Sequence, residues 1–369
     1  MSIDASRTGL IYRNPKPHLV SRHAYFPSLA VLPDGRLFAG FDIGSAFEAV
    51  DVRTHFAVSS DQGETWSEPQ PVSVPAFAKP FSGTCRFSLS PNDELIGIGA
   101  LWDRSRADEG LASNETGGFT ETHPFLIRAD AHSLQWETPA WIETPLSGPF
   151  EICSPVFYTM DGTWLWPAST WKDWHGSSPH GMQAIVLRSD DRGHTWASWN
   201  PVMDGRSCDV IHWEIKLAPL PDGKILALSW THDAKVGRDL PIHFALSADD
   251  GRTFTAPLPT GLLGQTCTPV ALTDGRILSI YRRSDEPGLW AHLSEIRAGS
   301  WINGDSVVFW GGMSHGRTHD SASATQQMST LRFGLPAAKL LSDGTVFVAF
   351  WCMEDAVSVI RWFKLRLPS

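Results

Sequence analysis

The chain has 369 residues, 42% of them hydrophobic and 19% charged, with a formal net charge of -10. That balance can fill a large core and leaves no Lys/Arg-rich block, which excludes a nucleic-acid-binding protein; no apolar run nears the roughly 20 residues that cross a bilayer. The opening residues, MSIDASRTGLIYRNPKPH, hold no apolar leader, and the five cysteines (Cys85, Cys153, Cys208, Cys267 and Cys352) are scattered and odd in number. Both observations point to a cytoplasmic protein with reduced thiols rather than a disulfide frame or a zinc site.

Read in chain order, one unit recurs. FPSLAVLPDGRLFAGF sets two apolar strands about a turn at Asp34-Gly35. TCRFSLSPNDELIGIGALW repeats it in worn form at Asn92-Asp93, and CSPVFYTMDGTWLWPAS at Asp161-Gly162. EIKLAPLPDGKILALSW, TCTPVALTDGRILSIY and LPAAKLLSDGTVFVAFW follow, with turns at Asp222-Gly223, Asp274-Gly275 and Asp343-Gly344. Asp or Asn before Gly between apolar runs is a hairpin signal. Six such hairpins, about 50 to 70 residues apart with no helical period between them, predict an all-β six-bladed propeller with four antiparallel strands per blade. One such domain spans residues 1–369, its last blade closed by pairing Leu10 to Arg13 with the C-terminal VIRWFKLRL.

A second unit rides on the first. SSDQGETW (Ser59 to Trp66), SDDRGHTW (Ser189 to Trp196) and SADDGRTF (Ser247 to Phe254) each follow a third strand and precede a fourth. The Asp can accept from backbone N–H groups of its own loop, the Gly permits positive φ, and the aromatic packs between strands. Worn copies are expected at Arg128 to Trp136 and Leu293 to Trp301. This octapeptide resembles the Asp-box of the sialidase (neuraminidase) superfamily with its BNR repeats, whose propeller also has six blades. The resemblance runs from about Leu10 to Leu367 and implies a sialidase-like fold.

It also implies site residues. The family's catalytic Glu falls on Glu214, eight residues before the turn Asp222. Its acid/base Asp falls on Asp51 or Asp42, with Asp51 preferred. Its third substrate Arg falls on Arg282 or Arg283. Elsewhere the set departs: Tyr25 stands where the first Arg would, Trp230 where the second would, and Leu335 where the nucleophilic Tyr would, with no Tyr after Tyr281. The resemblance therefore implies the fold more firmly than sialic acid hydrolysis.

Up-and-down topology places the site opposite the Asp-Gly turns, where first strands begin and second strands end. The residues there are polar and aromatic: Arg22, His23, Tyr25, Arg53, Glu151, Trp171, His212, Glu214, Trp230, Tyr281, Arg282 and Arg283 among them. Carboxylates serve acid/base work, Arg grips an acidic group, and Trp stacks on a sugar's apolar face. The composition holds 17 Trp against 4 Tyr. The expected function is a sialidase-like glycoside hydrolase acting on an acidic sugar, a carbohydrate being its partner. Glu214 and Asp51 or Glu151 would break the bond, and Arg22, Arg53, Arg282 or Arg283 would hold the acid group. Two alternatives stay open: a uronate lyase using His23, Tyr25 and an Arg, and a sugar-binding propeller without turnover. No cofactor motif is present, and His175 and His180, five apart in a Gly/Ser/Pro loop, do not have metal-ligand spacing.

Overall fold

The computed structural model describes residues 3–106, 108–311 and 330–368. Six antiparallel sheets follow one another along the chain and form six blades. Blade 1 is His23–Val31, Leu37–Gly44, Arg53–Ser59 and Gln70–Pro71; blade 2 is Phe81–Leu89, Glu94–Asp103, Thr122–Asp130 and Ala140–Trp141. Blade 3 begins with two short pieces, Phe150–Glu151 and Phe157–Tyr158, then Trp164–Thr170, Ala184–Ser189 and Ser198–Met203. Blade 4 is Val210–Pro219, Ile225–Asp233, Arg238–Ser247 and Leu258–Pro259; blade 5 is Gly264–Ala271, Ile277–Arg283, Leu289–Arg297 and Ser300–Trp310. Blade 6 takes Phe333–Leu340, Val346–Glu354 and Val357–Arg366, and Asp4–Tyr12 lies on its outer edge. That last pairing sets Leu10 against Arg361 and Tyr12 against Ile360.

The core is divided among the blade interfaces. Phe38 and Phe56 of blade 1 meet Phe87 of blade 2 in one apolar cluster, and Leu226 and Leu228 of blade 4 meet Ile277 and Tyr281 of blade 5 in another. Because neighbours cover both faces of each sheet, the middle strands are apolar throughout, as in Val346 to Cys352, rather than alternating.

The repeated octapeptide fastens blades. In each full copy the Ser hydroxyl donates to the Asp and accepts from the Gly N–H: Ser59 with Asp61 and Gly63, Ser189 with Asp191 and Gly193, Ser247 with Asp249 and Gly251. The Asp also accepts from the backbone and hydroxyl of Thr65, Thr195 or Thr253. A Cβ on Gly63 would lie 2.5 Å from Phe347 of blade 6, and one on Gly251 2.5 Å from Leu165 of blade 3. Both glycines also hold positive φ, 96° and 74°, so the absent side chain serves turn and interface together. At Leu293 to Trp301 the expected worn copy is a two-residue hairpin. Arg297 pairs with Ser300 around Ala298 and Gly299, both at positive φ, the conformation a tight hairpin requires.

One irregularity recurs where it matters for function. The innermost strands of blades 1, 4, 5 and 6 each slip register, between Tyr25 and Ser28, Trp213 and Lys216, Gln265 and Thr268, and Gly334 and Ala337. Inside each slip one non-glycine residue turns left-handed: Phe26 (φ 54°), Glu214 (49°), Thr266 (54°) and Leu335 (43°). Such bulges re-aim a side chain at a backbone cost of about 1–3 kcal/mol apiece. All four side chains line one central cavity.

Candidate active site

The cavity, about 210 Å³, opens on the side away from the Asp-Gly turns. Each blade supplies the residue eight positions before its turn Asp or Asn: Phe26, Thr84, Cys153, Glu214, Thr266 and Leu335. Two aromatic walls rise from this ring. On one side Trp171 stacks on Trp213 (centroids 4.7 Å, planes 16° apart) and on Phe119 (5.4 Å), and Trp213 meets Trp230 (4.3 Å). On the other, Phe26, Phe47 and Trp351 pack mostly edge to face, Phe26 to Phe47 at 5.1 Å. The Trp rings are fixed by their N–H groups: Trp171 donates to the Gly117 carbonyl (2.8 Å) and Trp230 to Asp239 (2.9 Å).

Two glutamates meet between these walls. The Glu214 backbone N–H donates to Glu151 Oε2 at 3.1 Å; both residues are half-buried, and Glu214 Oε2 is shut off from water. Burial, then the Glu151 charge, pushes Glu214 up to about 8. Burial also raises Glu151, although the Glu214 N–H and the charge of Lys216 oppose it. Two close carboxylates in a dry site cannot both ionise cheaply, so the pair keeps a proton at neutral pH. Glu214 is its better holder. Glu151 accepts a bond that favours its ionised form, whereas Glu214 Oε2 has no hydrogen-bond partner. A third carboxyl, Glu48, lines the cavity from the loop after the second strand of blade 1. Burial raises it, against the Leu111 N–H and the charge of Arg104, and its Oε1 is buried without a partner.

The proton on Glu214 predicts a pH effect on stability. Between about pH 6.5 and 8 the folded chain holds a proton on Glu214 that the unfolded chain, with ordinary carboxyls, has released. Protons bound to the native state then exceed those on the unfolded state, and stability falls as pH rises. Burial also lowers His23, His55, His212, His243 and His292; the unfolded chain sheds those protons around pH 6.5, so their opposite slope overlaps the lower part of this window. From about pH 6.5 to 8 the thermal midpoint of Glu214→Gln should therefore gain on that of the parent, the histidine slope being common to both. An equal slope in the variant would place the proton elsewhere.

The cations of the cavity are spoken for. Asp42 and Arg86, 0% and 3% exposed, pair at 3.1 Å, and Asp42 also accepts from the Thr54 and Thr84 hydroxyls. Arg282 donates to Gln265 Oε1 and to the Phe333 carbonyl (2.8 Å). Gln265 in turn donates to Asp239, which also bonds Trp230 and His232.

Of the residues singled out in the sequence, Asp42, Glu151, Glu214, Trp171, Trp230, Arg282 and Leu335 therefore meet in the cavity. The others do not line it. Asp51 is exposed and accepts from the Ser45 N–H and hydroxyl, while Asp42 takes the buried place. Arg22 is exposed beside Tyr12. Arg53 donates to the carbonyls of Val50 and Val52 and covers the Phe81 ring at 3.8 Å. His23 accepts from the Ser358 N–H. Tyr25 is packed behind Phe26 and burial pushes its hydroxyl up to about 12. His212 bonds His243 at 3.1 Å behind its strand, and burial lowers it to about 3. Tyr281 belongs to the core between blades 4 and 5. Arg283 is held by Asp285 and covers the Trp290 ring.

Against known families, the pattern of the BNR repeat-like domain matches residues 35–356. The chain belongs to that family. No curated protein matches it in sequence. Among solved structures, this BNR repeat-like propeller is similar to a Dyadobacter fermentans protein of unknown function (TM-score 0.74, 19% identity, 100% of both chains). It is also similar to the NanB sialidase of Streptococcus pneumoniae (TM-score 0.67, 13% identity, 97% of this chain and 70% of that one). The Trypanosoma rangeli sialidase in complex with sialic acid gives a TM-score of 0.62 at 13% identity, with 94% of this chain covering 54% of that one. Identities this low establish a sialidase-like fold and nothing finer.

Within the BNR repeat-like fold, the residues missed by sequence reasoning are of two kinds. Phe26, Thr84, Cys153 and Thr266 carried a signal, the same offset from the turn that marked Glu214. Phe47, Glu48 and Phe119 come from long connections without any period.

Proposed function

We propose that the protein is a glycoside hydrolase with a sialidase-like propeller and a rewired site, acting on a neutral sugar. The observation that carries this reading is the set of carboxyls with unlike surroundings in one aromatic-walled cavity. Glu214 holds a proton and has a free oxygen, so it suits the general acid. Glu48 comes from blade 1, across the ring from blade 4, and suits the nucleophile or base. Carboxyls on two sides of a sugar are what glycosidic cleavage needs. Glu151 is a positioning residue whose charge keeps the proton on Glu214. The stacked indoles and the Phe26–Phe47–Trp351 wall would take the two faces of a pyranose.

Charge argues for the neutral substrate. Asp42 cancels Arg86 and Glu214 carries its proton, which leaves Glu48 and Glu151 against Arg282 alone among the described charged residues that line the cavity. A carboxylated sugar would meet net negative charge and no uncommitted guanidinium fork. The lyase reading loses its support, since His23 and Tyr25 stand off the cavity.

The test is a product assay over neutral glycosides, sialosides and uronides. We expect new reducing ends from a neutral glycoside without the ultraviolet absorbance of an unsaturated uronate. Cleavage confined to sialosides would overturn the neutral class. New absorbance would overturn hydrolysis. Sugar binding without products would make the chain a lectin.

A further inference from the structure

The central channel continues past the ring of bulges toward the Asp-Gly turns and widens to a second cavity of about 410 Å³. The proposed function makes no use of it. Its charged lining is of one sign: Arg86, Lys216 and Lys339, with no Asp or Glu among the described residues that line it. This is unusual in a chain of net charge -10. Like charges gathered in a confined, low-dielectric space repel one another unless a counter-ion joins them.

The three cations differ in how far the protein satisfies them. Arg86 reaches Asp42 through Nη1, yet its Nε is buried with no partner, and the residue is 3% exposed. Lys216 donates to the Thr268 hydroxyl (3.0 Å) and the Pro336 carbonyl (3.1 Å), and its charge is felt by Glu151 without a direct ion pair between them among the described contacts. Lys339 forms no hydrogen bond or ion pair with any described residue, and its half-buried side chain faces the channel. Burial lowers its ammonium, the direction expected of a cation short of a counter-charge. The Tyr158 and Ser88 hydroxyls, 2.8 Å apart, belong to residues of blades 3 and 2 that line the same cavity.

We propose that this half of the channel binds a small oxyanion, a phosphate group, between Lys339 and Lys216. Phosphate suits point-charge ammonium donors and nearby hydroxyls. The volume leaves room for a small body attached to the phosphate, so free phosphate and a sugar monophosphate are both admissible sources. The site lies on the far side of the bulge ring from Glu214, and it stands or falls independently of the hydrolase reading.

The experiment is calorimetric titration of the full chain with inorganic phosphate and, separately, with glucose 1-phosphate, at constant ionic strength with chloride as the control. Expected are saturable binding of phosphate, a thermal midpoint that rises with its concentration, and at least a tenfold weaker affinity in Lys339→Met. Lys339→Arg should keep most of the affinity, and Glu214→Gln should leave it unchanged. Tighter binding of the sugar phosphate would name the attached-body source; equal binding would name the free ion. No saturation by 10 mM phosphate, or a folded Lys339→Met that binds as well as the parent, overturns the site. Lost binding in Glu214→Gln would move the anion to the other cavity and overturn it equally.

Discussion

Glu214→Gln is expected to fold normally and to lower kcat on the best neutral glycoside by about 100- to 10,000-fold, with KM little changed. Gln keeps the shape of Glu and the aromatic walls that bind sugar, and it removes the one proton the reaction would spend. The pH profile of the parent should fall on its alkaline side near pH 8, where Glu214 loses that proton. Glu151→Gln gives the sharper check. Removing the Glu151 charge removes one cause of the raised Glu214 value, so the alkaline limb should move to lower pH. A residue that merely packed the cavity would lower the rate without moving the limb. Full turnover in Glu214→Gln, with circular dichroism unchanged, would remove Glu214 from the chemistry.

What the sequence disclosed follows from how local each feature is. The Asp-Gly hairpins and the Ser-x-Asp-x-Gly-x-Thr turns are written within eight residues or so, and their bonds close inside the same segment, as Ser189, Asp191 and Gly193 do. The ring of cavity residues was readable for the same reason, since bulge and turn lie on one strand. The choice between Asp42 and Asp51 was not readable. Asp42 is buried by Thr84 and Arg86, which belong to the next blade, and nothing near Asp42 in the chain announces them. The arginines misled in the other direction. Arg53 and Arg283 stand near the mouth in topology but find partners within three residues, at the Val50 and Val52 carbonyls and at Asp285. A long flexible cation satisfied locally has no reason to enter the channel. Glu48 was missed because the loop that carries it has no period to read.

The largest expected effect on stability falls on the pair that the sequence could not assign. Asp42 and Arg86 are almost wholly removed from water and face each other at 3.1 Å across the seam between blades 1 and 2. Breaking such a pair from one side leaves an uncompensated charge, at a cost of about 3–5 kcal/mol. Asp42→Asn preserves the outline of the side chain, so the loss reports the charge rather than a hole. Urea unfolding at pH 7 should show the midpoint falling by that equivalent with an unchanged slope. The deficit should also persist in high salt, because ions do not screen a buried pair as they do an exposed one. Replacing both partners, Asp42→Leu with Arg86→Met, should recover much of the loss, since it strands neither charge. A deficit below about 1 kcal/mol, the worth of an exposed pair, would mean that water or an anion already reaches Arg86. Arg86 itself borders the channel that Lys216 and Lys339 line. Repeating the unfolding of Asp42→Asn with phosphate therefore separates the two. Bulk water would leave the deficit as it was, whereas an anion held in the channel would reduce it.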